Sequence, residues 1–472
     1  MWGIEITHES EITLSRQIYL GLCNSISNAK LASGEALPST RELAKQLNVS
    51  RNTVSVAYDM LLAEGFVISH QGAPTRVAEG LQLSSTLETE SSEVPVQINT
   101  VQKETVQQEI IKVDFKTGKP DVKHFPKELW CRLLYHASQN ITLEQYNYSG
   151  PEGNPALRQE IAEWLFRSRG IMVKSEDIFI TAGATQALHI LAGLLSSEGR
   201  EMLIEDPCHI GMLRALQGKG HPIRPVPVDE FGMQTDCLEG GNAGAVYVTP
   251  SHQFPLGGIL PAGRRTVLIK FARENDLYII EDDYDSEFRY SGPPISPLYA
   301  MDPERVIYVG TFSKSVFPAL RIGYVILPKR LQSQWKYSRI YTDVQNPLFE
   351  QVALAEFLRT RKLDRYVNQM RKHYNRQRQV LLEALQENFT EPWSVWGDAA
   401  GLHLAIRFPG YCFDSGFVAK SRSLGVRTTP VEHYSIVKGK HLDMLLIGYG
   451  HLNDEEIGIG IALLRDAMDK KK

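Results

Sequence analysis

Cysteine is scarce in this chain of 472 residues: Cys23, Cys131, Cys208, Cys237 and Cys412 lie far apart and form no C-x-x-C pair. That scatter excludes a disulfide framework and a paired-cysteine zinc site, and it suits a reducing compartment. Long apolar runs are missing too, for no window approaches the roughly 18 uninterrupted apolar residues of a membrane span. The start Met1-Trp2-Gly3-Ile4-Glu5 has no basic segment leading into an apolar one, so no secretory signal is read there. A cytoplasmic location is expected. Neither sign of charge dominates: 51 Lys and Arg stand against 55 Asp and Glu, a formal net of -4. This excludes a polycation that coats nucleic acid by bulk charge.

Aromatic residues and glycine are both absent from residues 84–109, where eight Ser/Thr, five Glu and four Gln make up 17 of 26 positions. Such a stretch cannot bury enough apolar surface to offset its ordering entropy and is expected to be a linker. Its r.m.s. span, about 30 Å for a flexible chain, reaches a neighbouring subunit. The expected organisation is a head over residues 1–78, a linker over 79–112 and a body over 113–472, with a smaller subdomain from about 331 to 472. In the body, apolar strand-like runs alternate with amphipathic helical stretches, which predicts an α/β domain around a mainly parallel sheet.

The head reads as three helices. Leu14, Ile18, Leu22, Ile26 and Ala29 keep a helical period over residues 14–30. Ser39-Thr40-Arg41-Glu42 has the spacing of a capping box, and Ser50 caps a third helix over residues 51–64, with Gly65 at its end. Two helices across a short turn make a helix-turn-helix. Its recognition helix starts with Arg51, Asn52 and Thr53 after Ser50, where side chains meet base edges and phosphates, and Arg41 and Lys45 share a face one turn apart. Residues 66–68 and 76–78 flank a turn, as a wing would. A three-helix module with merely solvated Arg and Lys has the same spacing. Charge by segment favours a focused DNA reader: the head is near neutral at -1, residues 84–109 carry -4, and residues 39–53 concentrate +2.

In the body, Leu277-Tyr278-Ile279-Ile280 ends in Glu281-Asp282-Asp283-Tyr284, which puts acidic residues at a strand's carboxyl end, where open α/β sheets bind ligands. The strand-like residues 306–314 deliver Ser313 and Lys314, and Arg321 follows. A carboxylate, a phenol, a lysine and an arginine at one sheet edge suit pyridoxal 5'-phosphate: the lysine attacks its carbonyl, the carboxylate keeps the ring nitrogen protonated, and cations and hydroxyls hold the phosphate. Separate surface ion pairs are the plainer alternative. Period-two alternation puts Asp282 and Tyr284 on one face and Asp283 on the other. A strand, a small-residue turn and a helix start at Ile180-Thr181-Ala182-Gly183-Ala184-Thr185 offer free amides to a phosphate.

Leu37-Pro38-Ser39-Thr40-Arg41-Glu42-Leu43-Ala44, then Val49-Ser50-Arg51-Asn52-Thr53-Val54, resembles the GntR-type winged-helix domain. Gly72-Ala73-Pro74-Thr75 departs from its usual Gly-x-Gly-Thr wing. With Tyr148-Ser149-Gly150-Pro151-Glu152-Gly153 and Thr249-Pro250-Ser251-His252-Gln253-Phe254-Pro255, the body resembles a fold-type I aminotransferase, and the whole chain resembles the MocR/GabR family of bacterial transcription regulators. The resemblance implies a homodimer, domain-swapped or not, that binds a double-stranded DNA operator and pyridoxal 5'-phosphate. It makes Lys314 the Schiff-base lysine, Asp282 the pyridinium partner and Tyr284 a donor to the ring oxygen. Ser313, Arg321 and the Ala184 and Thr185 amides hold the phosphate, and Tyr148 reaches across a dimer interface. His252 and Gln253 either line the site or support it. Where the GABA-responsive member grips a carboxylate with arginines, this chain aligns Gly211 and His451, with Arg427 and Arg214 as candidate substitutes; GABA is therefore not expected as effector. Either another amine or amino acid, captured as an aldimine, or the cofactor itself remains. A working aminotransferase with an accessory head is the competing reading.

Overall fold

The computed structural model describes residues 4, 6, 7, 10, 12–70, 72–80, 111–195, 199–292, 295–397 and 399–468. The chain falls into two compact units whose division lies within residues 81–110. Residues 81–110 of the expected linker are therefore outside the described residues.

In the head unit, α1 (Leu14–Ser27), α2 (Thr40–Leu47) and α3 (Arg51–Ala63) precede a two-stranded ribbon of β1 (Val67–Ile68) and β2 (Arg76–Val77). The first helix stops earlier than its apolar period suggests, because Ala29 turns left-handed at φ 55°. Ser39 and Ser50 cap α2 and α3 by accepting from the Glu42 and Thr53 amides at 3.2 and 3.1 Å; each cap contributes about 1 kcal/mol. Asn48, left-handed at φ 54°, ends α2 and sets the turn into α3. Ile18, Leu22, Leu43, Val54, Ala57, Leu61 and Val77 form the shared core. Full burial of a Leu, Ile or Val side chain is worth about 1.5–3 kcal/mol, so these seven anchor the exposed face of α3.

The body's strands are β3 (Val113–Asp114), β4 (Ile178–Thr181), β5 (Glu201–Asp206), β6 (Ile223–Asp229), β7 (Gly232–Met233), β8 (Ala243–Val248), β9 (Tyr278–Asp283), β10 (Val306–Thr311) and β11 (Gly323–Ile326), then β12 (Ser394–Trp396), β13 (His403–Arg407), β14 (Val426–Arg427), β15 (Thr429–Pro430) and β16 (Met444–Gly448). The large sheet runs β4-β11-β10-β9-β8-β5-β6-β7. Strands β6, β5, β8, β9 and β10 are parallel, while β11 is antiparallel to both neighbours. A second sheet runs β12-β13-β16-β15, and β3 pairs in parallel with β14. The body's first strand thus lies with its last third.

The helices that matter for the site are α4 (Lys127–Asn140), α5 (Pro155–Arg169), α6 (Ala184–Leu194) and α7 (Ile210–Gly218). After α8 (Ala262–Glu274), α9 (Lys329–Ile340) and α10 (Leu348–Arg359) comes α11 (Lys362–Asn388), 27 residues long. Ile279 and Ile280 of β9 fall into different apolar clusters, one on each face of the sheet. That alternation follows from the two-residue period of a strand.

Two strand limits differ from the sequence reading. Strand β9 continues through Glu281, Asp282 and Asp283, because β10 pairs with it as far as Gly310 opposite Asp283. Strand β10 stops at Thr311: the Ser313 amide bonds the Thr311 hydroxyl at 3.2 Å instead of a neighbouring strand. Phe312 still bonds the Ile322 carbonyl at 3.0 Å, and Ser313 and Lys314 then turn off the sheet edge.

Candidate functional site

The carboxyl ends of β4, β9 and β10 open on a cavity of about 430 Å³. Lys314, Asp282, Tyr284, Ser313, Arg321, Ala184 and Thr185 all line it. Burial holds the Lys314 amine below its ordinary pKa, against the opposing pull of Asp285 and Asp282. The amine donates to the Gly118 carbonyl. Asp282 accepts from the Tyr247 hydroxyl at 2.7 Å through Oδ2, while its buried Oδ1 has no partner. Burial raises this carboxyl to about pKa 7. A buried carboxylate with one free oxygen calls for a cationic donor from the cavity.

Asp283, one residue on, faces the other way. It pairs with the buried Arg169 at 2.9 Å and accepts from the Tyr308 hydroxyl.

The phosphate side of the cavity is built from backbone. At the start of α6 the first amides have no partner within the helix, and the helix dipole adds positive potential there. Gly183 precedes them at φ 81°, and a Cβ on it would stand 3.0 Å from the Arg321 guanidinium. Arg321 donates to the Ala182 carbonyl at 2.7 Å, and Ser313 sits beside Thr311 with its hydroxyl 3.1 Å from the threonine's. Amides, a hydroxyl and a guanidinium fork at one end, and a carboxylate at the other, fit a phosphorylated pyridine ring.

In the head, Arg41, Lys45, Ser50, Arg51 and Asn52 are exposed and Thr53 is half-buried. Arg51 Nε reaches the Thr40 hydroxyl at 3.3 Å, tying the first turns of α2 and α3. The first turns of the two helices are thus held together with Arg51 exposed beside them.

The chain matches the family model "Aminotransferase class I and II" over residues 111–432 and "Bacterial regulatory proteins, gntR family" over residues 14–77. It is 34% identical to the HTH-type pyridoxine biosynthesis transcriptional regulator PdxR of Corynebacterium glutamicum, over 94% of this chain and 93% of the relative. It is 30% identical to the probable rhizopine catabolism regulatory protein MocR of Rhizobium meliloti, over 98% and 95%. The chain belongs to the MocR-type transcription regulators. Among solved structures, the body resembles a kynurenine aminotransferase of Pyrococcus horikoshii with a TM-score of 0.70 and 27% identity, covering 76% of this chain and 91% of that one.

Other residues of this MocR-type regulator lie away from the cavity lining. Tyr148 is 83% exposed and is not part of it. Gly211 sits in the first turn of α7, where a Cβ would stand 2.6 Å from the His209 ring. His451 is also outside the lining: its Nε2 lies 2.9 Å from the Asp114 carbonyl oxygen. Arg427 pairs with Asp114 at 3.2 Å, and Arg214 bonds Gln217 at 3.2 Å on the surface. His252 is buried behind the cavity, within 3.0 Å of both the Tyr284 hydroxyl and Asp285. Gln253 is equally buried and donates to the Pro207 carbonyl at 2.9 Å.

Sequence reasoning missed several of the cavity's own residues. His209 lines it, with burial lowering its pKa to about 4 and Nδ1 left without a partner. His403 and Tyr434 arrive from the C-terminal sheet and its adjoining turn, and Thr117 and Gly118 from the segment after β3. Only His209 carried a signal, an aromatic imidazole just after the end of β5.

Among the described residues that line the cavity, the basic ones besides the histidines are Lys314 and Arg321.

Proposed function

We propose that this regulator senses pyridoxal 5'-phosphate itself, and that the cavity's charge inventory carries the reading. Membership of the MocR-type family makes the chain a DNA-binding transcription regulator with an aminotransferase-like, pyridoxal phosphate-binding body. When bound, pyridoxal 5'-phosphate supplies an electrophilic carbonyl on an electron-withdrawing ring. Lys314, shifted toward its neutral form by burial, presents the amine that meets that carbonyl. Asp282 Oδ1 would accept from the ring nitrogen, Tyr284 would donate to the ring oxygen, and the Ala184 and Thr185 amides, Ser313 and Arg321 would hold the phosphate.

With Arg321 committed to the phosphate and Lys314 to the carbonyl, the lining has no further guanidinium among the described residues for an effector's carboxylate. Neutral histidines bind carboxylates less well than an arginine fork does. An amino acid such as GABA therefore lacks its usual clamp, whereas the cofactor finds every partner it needs. The resemblance to PdxR, a pyridoxine biosynthesis transcriptional regulator, supports the same reading. Turnover as an aminotransferase needs that clamp as well, so the body acts as a sensor, with at most a half-reaction.

The working form is a homodimer, domain-swapped or not, in which Tyr148 of one subunit completes the other's cavity. Binding changes the placement of the two heads only if the cavity ligand favours one arrangement over another. The test is a gel-shift titration over the regulator's own upstream region, with and without pyridoxal 5'-phosphate. The cofactor should change the specific shift, and GABA should add nothing. A shift indifferent to the cofactor, together with multiple-turnover transamination, would replace the sensor by an enzyme. Arg51→Ala should weaken operator binding by about tenfold or more, the range for a lost base or phosphate contact, and leave the cofactor's visible absorbance intact.

A further inference from the structure

A second cavity of about 380 Å³ lies in the body where the end of α5, the loop after β9 and the start of α11 meet. Five arginines line it, Arg167, Arg169, Arg289, Arg361 and Arg371, against two carboxyls, Glu287 and Asp364. Five minus two leaves +3 on the lining with both carboxyls ionised, and +2 once Asp283, which pairs with Arg169, is counted. Asp364 is engaged by Arg167 at 3.5 Å, and Arg169 is held by Asp283. Among the described residues, Arg289, Arg361 and Arg371 have no carboxylate partner.

The nitrogens are also short of acceptors. Arg289 Nε and Nη1 are buried with no hydrogen-bond partner, as is Nε of Arg169, a residue only 8% exposed. Burying such donors unpaired is costly. The loop nevertheless makes room for them: Gly292 turns at φ 76°, and a Cβ there would come within 2.9 Å of Arg289 Nη2.

We propose that this cavity is a binding site for a small phosphate monoester. Guanidinium forks pair with the oxygens of phosphate in parallel hydrogen bonds, and a dianion offsets most of the surplus charge. The volume lies within the range of small-molecule pockets and exceeds what a bare phosphate fills. The unpaired nitrogens are buried beside the cavity, which keeps them out of reach of duplex backbone phosphates. The site is separate from the cofactor's: Asp282 belongs to one cavity and Asp283, through Arg169, to the other.

The experiment uses full-length protein loaded with pyridoxal 5'-phosphate, so that Arg321 and Ser313 are occupied. Calorimetric titration with glycerol 3-phosphate should show one site per chain, and glycerol should show none. Arg289→Gln and Arg371→Gln should each weaken binding tenfold or more while the cofactor absorbance stays. If either fails to fold, seen as lost absorbance, the exposed Arg361→Gln replaces it, with a weakening of several-fold. Inorganic phosphate binding as tightly as the ester would also support the site and would make the free anion its ligand. No heat from either phosphate, or equal affinity in wild type and variants, overturns the proposal. So does a variant that loses operator binding while glycerol 3-phosphate binding is unchanged.

Discussion

Asp282 and Asp283 are adjacent in sequence, equally buried and carried by the same strand, yet they sit in opposite electrostatic settings. Asp282 meets a phenol and an open cavity, keeps one oxygen without a partner and is pushed up to about pKa 7 by burial. Asp283 meets a guanidinium and a second phenol inside the packed sheet face. One carboxyl is left wanting a cation, and the other already has one. The difference shows that the strand's pleat assigns function: the face toward α6 and α7 holds the group that needs a ligand, and the face toward α5 holds the group that secures the fold.

The largest effect that can break this comparison is at the reacting amine. Lys314→Ala should abolish the visible absorbance of bound pyridoxal 5'-phosphate, since no other lysine lines the cavity among the described residues; a retained band would move the attachment elsewhere. Next comes Asp283→Asn, which leaves the buried Arg169 charge without its partner and should cost about 3–5 kcal/mol of stability. Denaturant unfolding checks it, and the two faces would be equivalent if Asp282→Asn cost as much.

Asp282→Asn should instead weaken cofactor binding by about tenfold to a hundredfold, the 1.5–3 kcal/mol of a charged hydrogen bond, measured by absorbance titration. The smallest effect is in pH dependence. Asp282 titrates near 3.8 unfolded and near 7 folded, so the folded protein holds its proton longer. Its stabilising contribution is full below the unfolded value and is lost as pH rises through the folded one. Relative to Asp282→Asn, the cofactor-stripped wild type should lose stability between about pH 4 and 7, with a slope of at most about 1.4 kcal/mol per pH unit. A flat difference would mean that Asp282 is ionised throughout.

Much of this was legible in the sequence because the residues are local. Ser50 and Arg51 announce the recognition helix through a cap followed by an apolar period, and Asp282 and Tyr284 declare a shared face through alternation. Lys314 was legible as a lysine after a strand, although the strand ends three residues before it. What was illegible is assembled at long range. His403 and Thr117 reach the cavity from opposite ends of the body, and no spacing rule links them. Tyr247 was invisible as the partner of Asp282, since it reads as a buried strand residue. The arginine cavity draws on three segments, in each of which an arginine reads as ordinary solvated charge. His451, which stands where the GABA-responsive member has a clamp arginine, has its ring at the Asp114 carbonyl and lies outside the cavity lining, a placement that no local spacing reveals.

The hydrogen bond from Lys314 to the Gly118 carbonyl has a mechanical meaning. Gly118 lies four residues beyond β3, and β3 is nearly the first described stretch after the segment that joins body to head. The amine cannot turn to a ligand's carbonyl and keep hold of that backbone oxygen. A ligand that engages Lys314 therefore frees the Gly118 carbonyl, and with it the segment that follows the body's first strand, from its hold on the cavity.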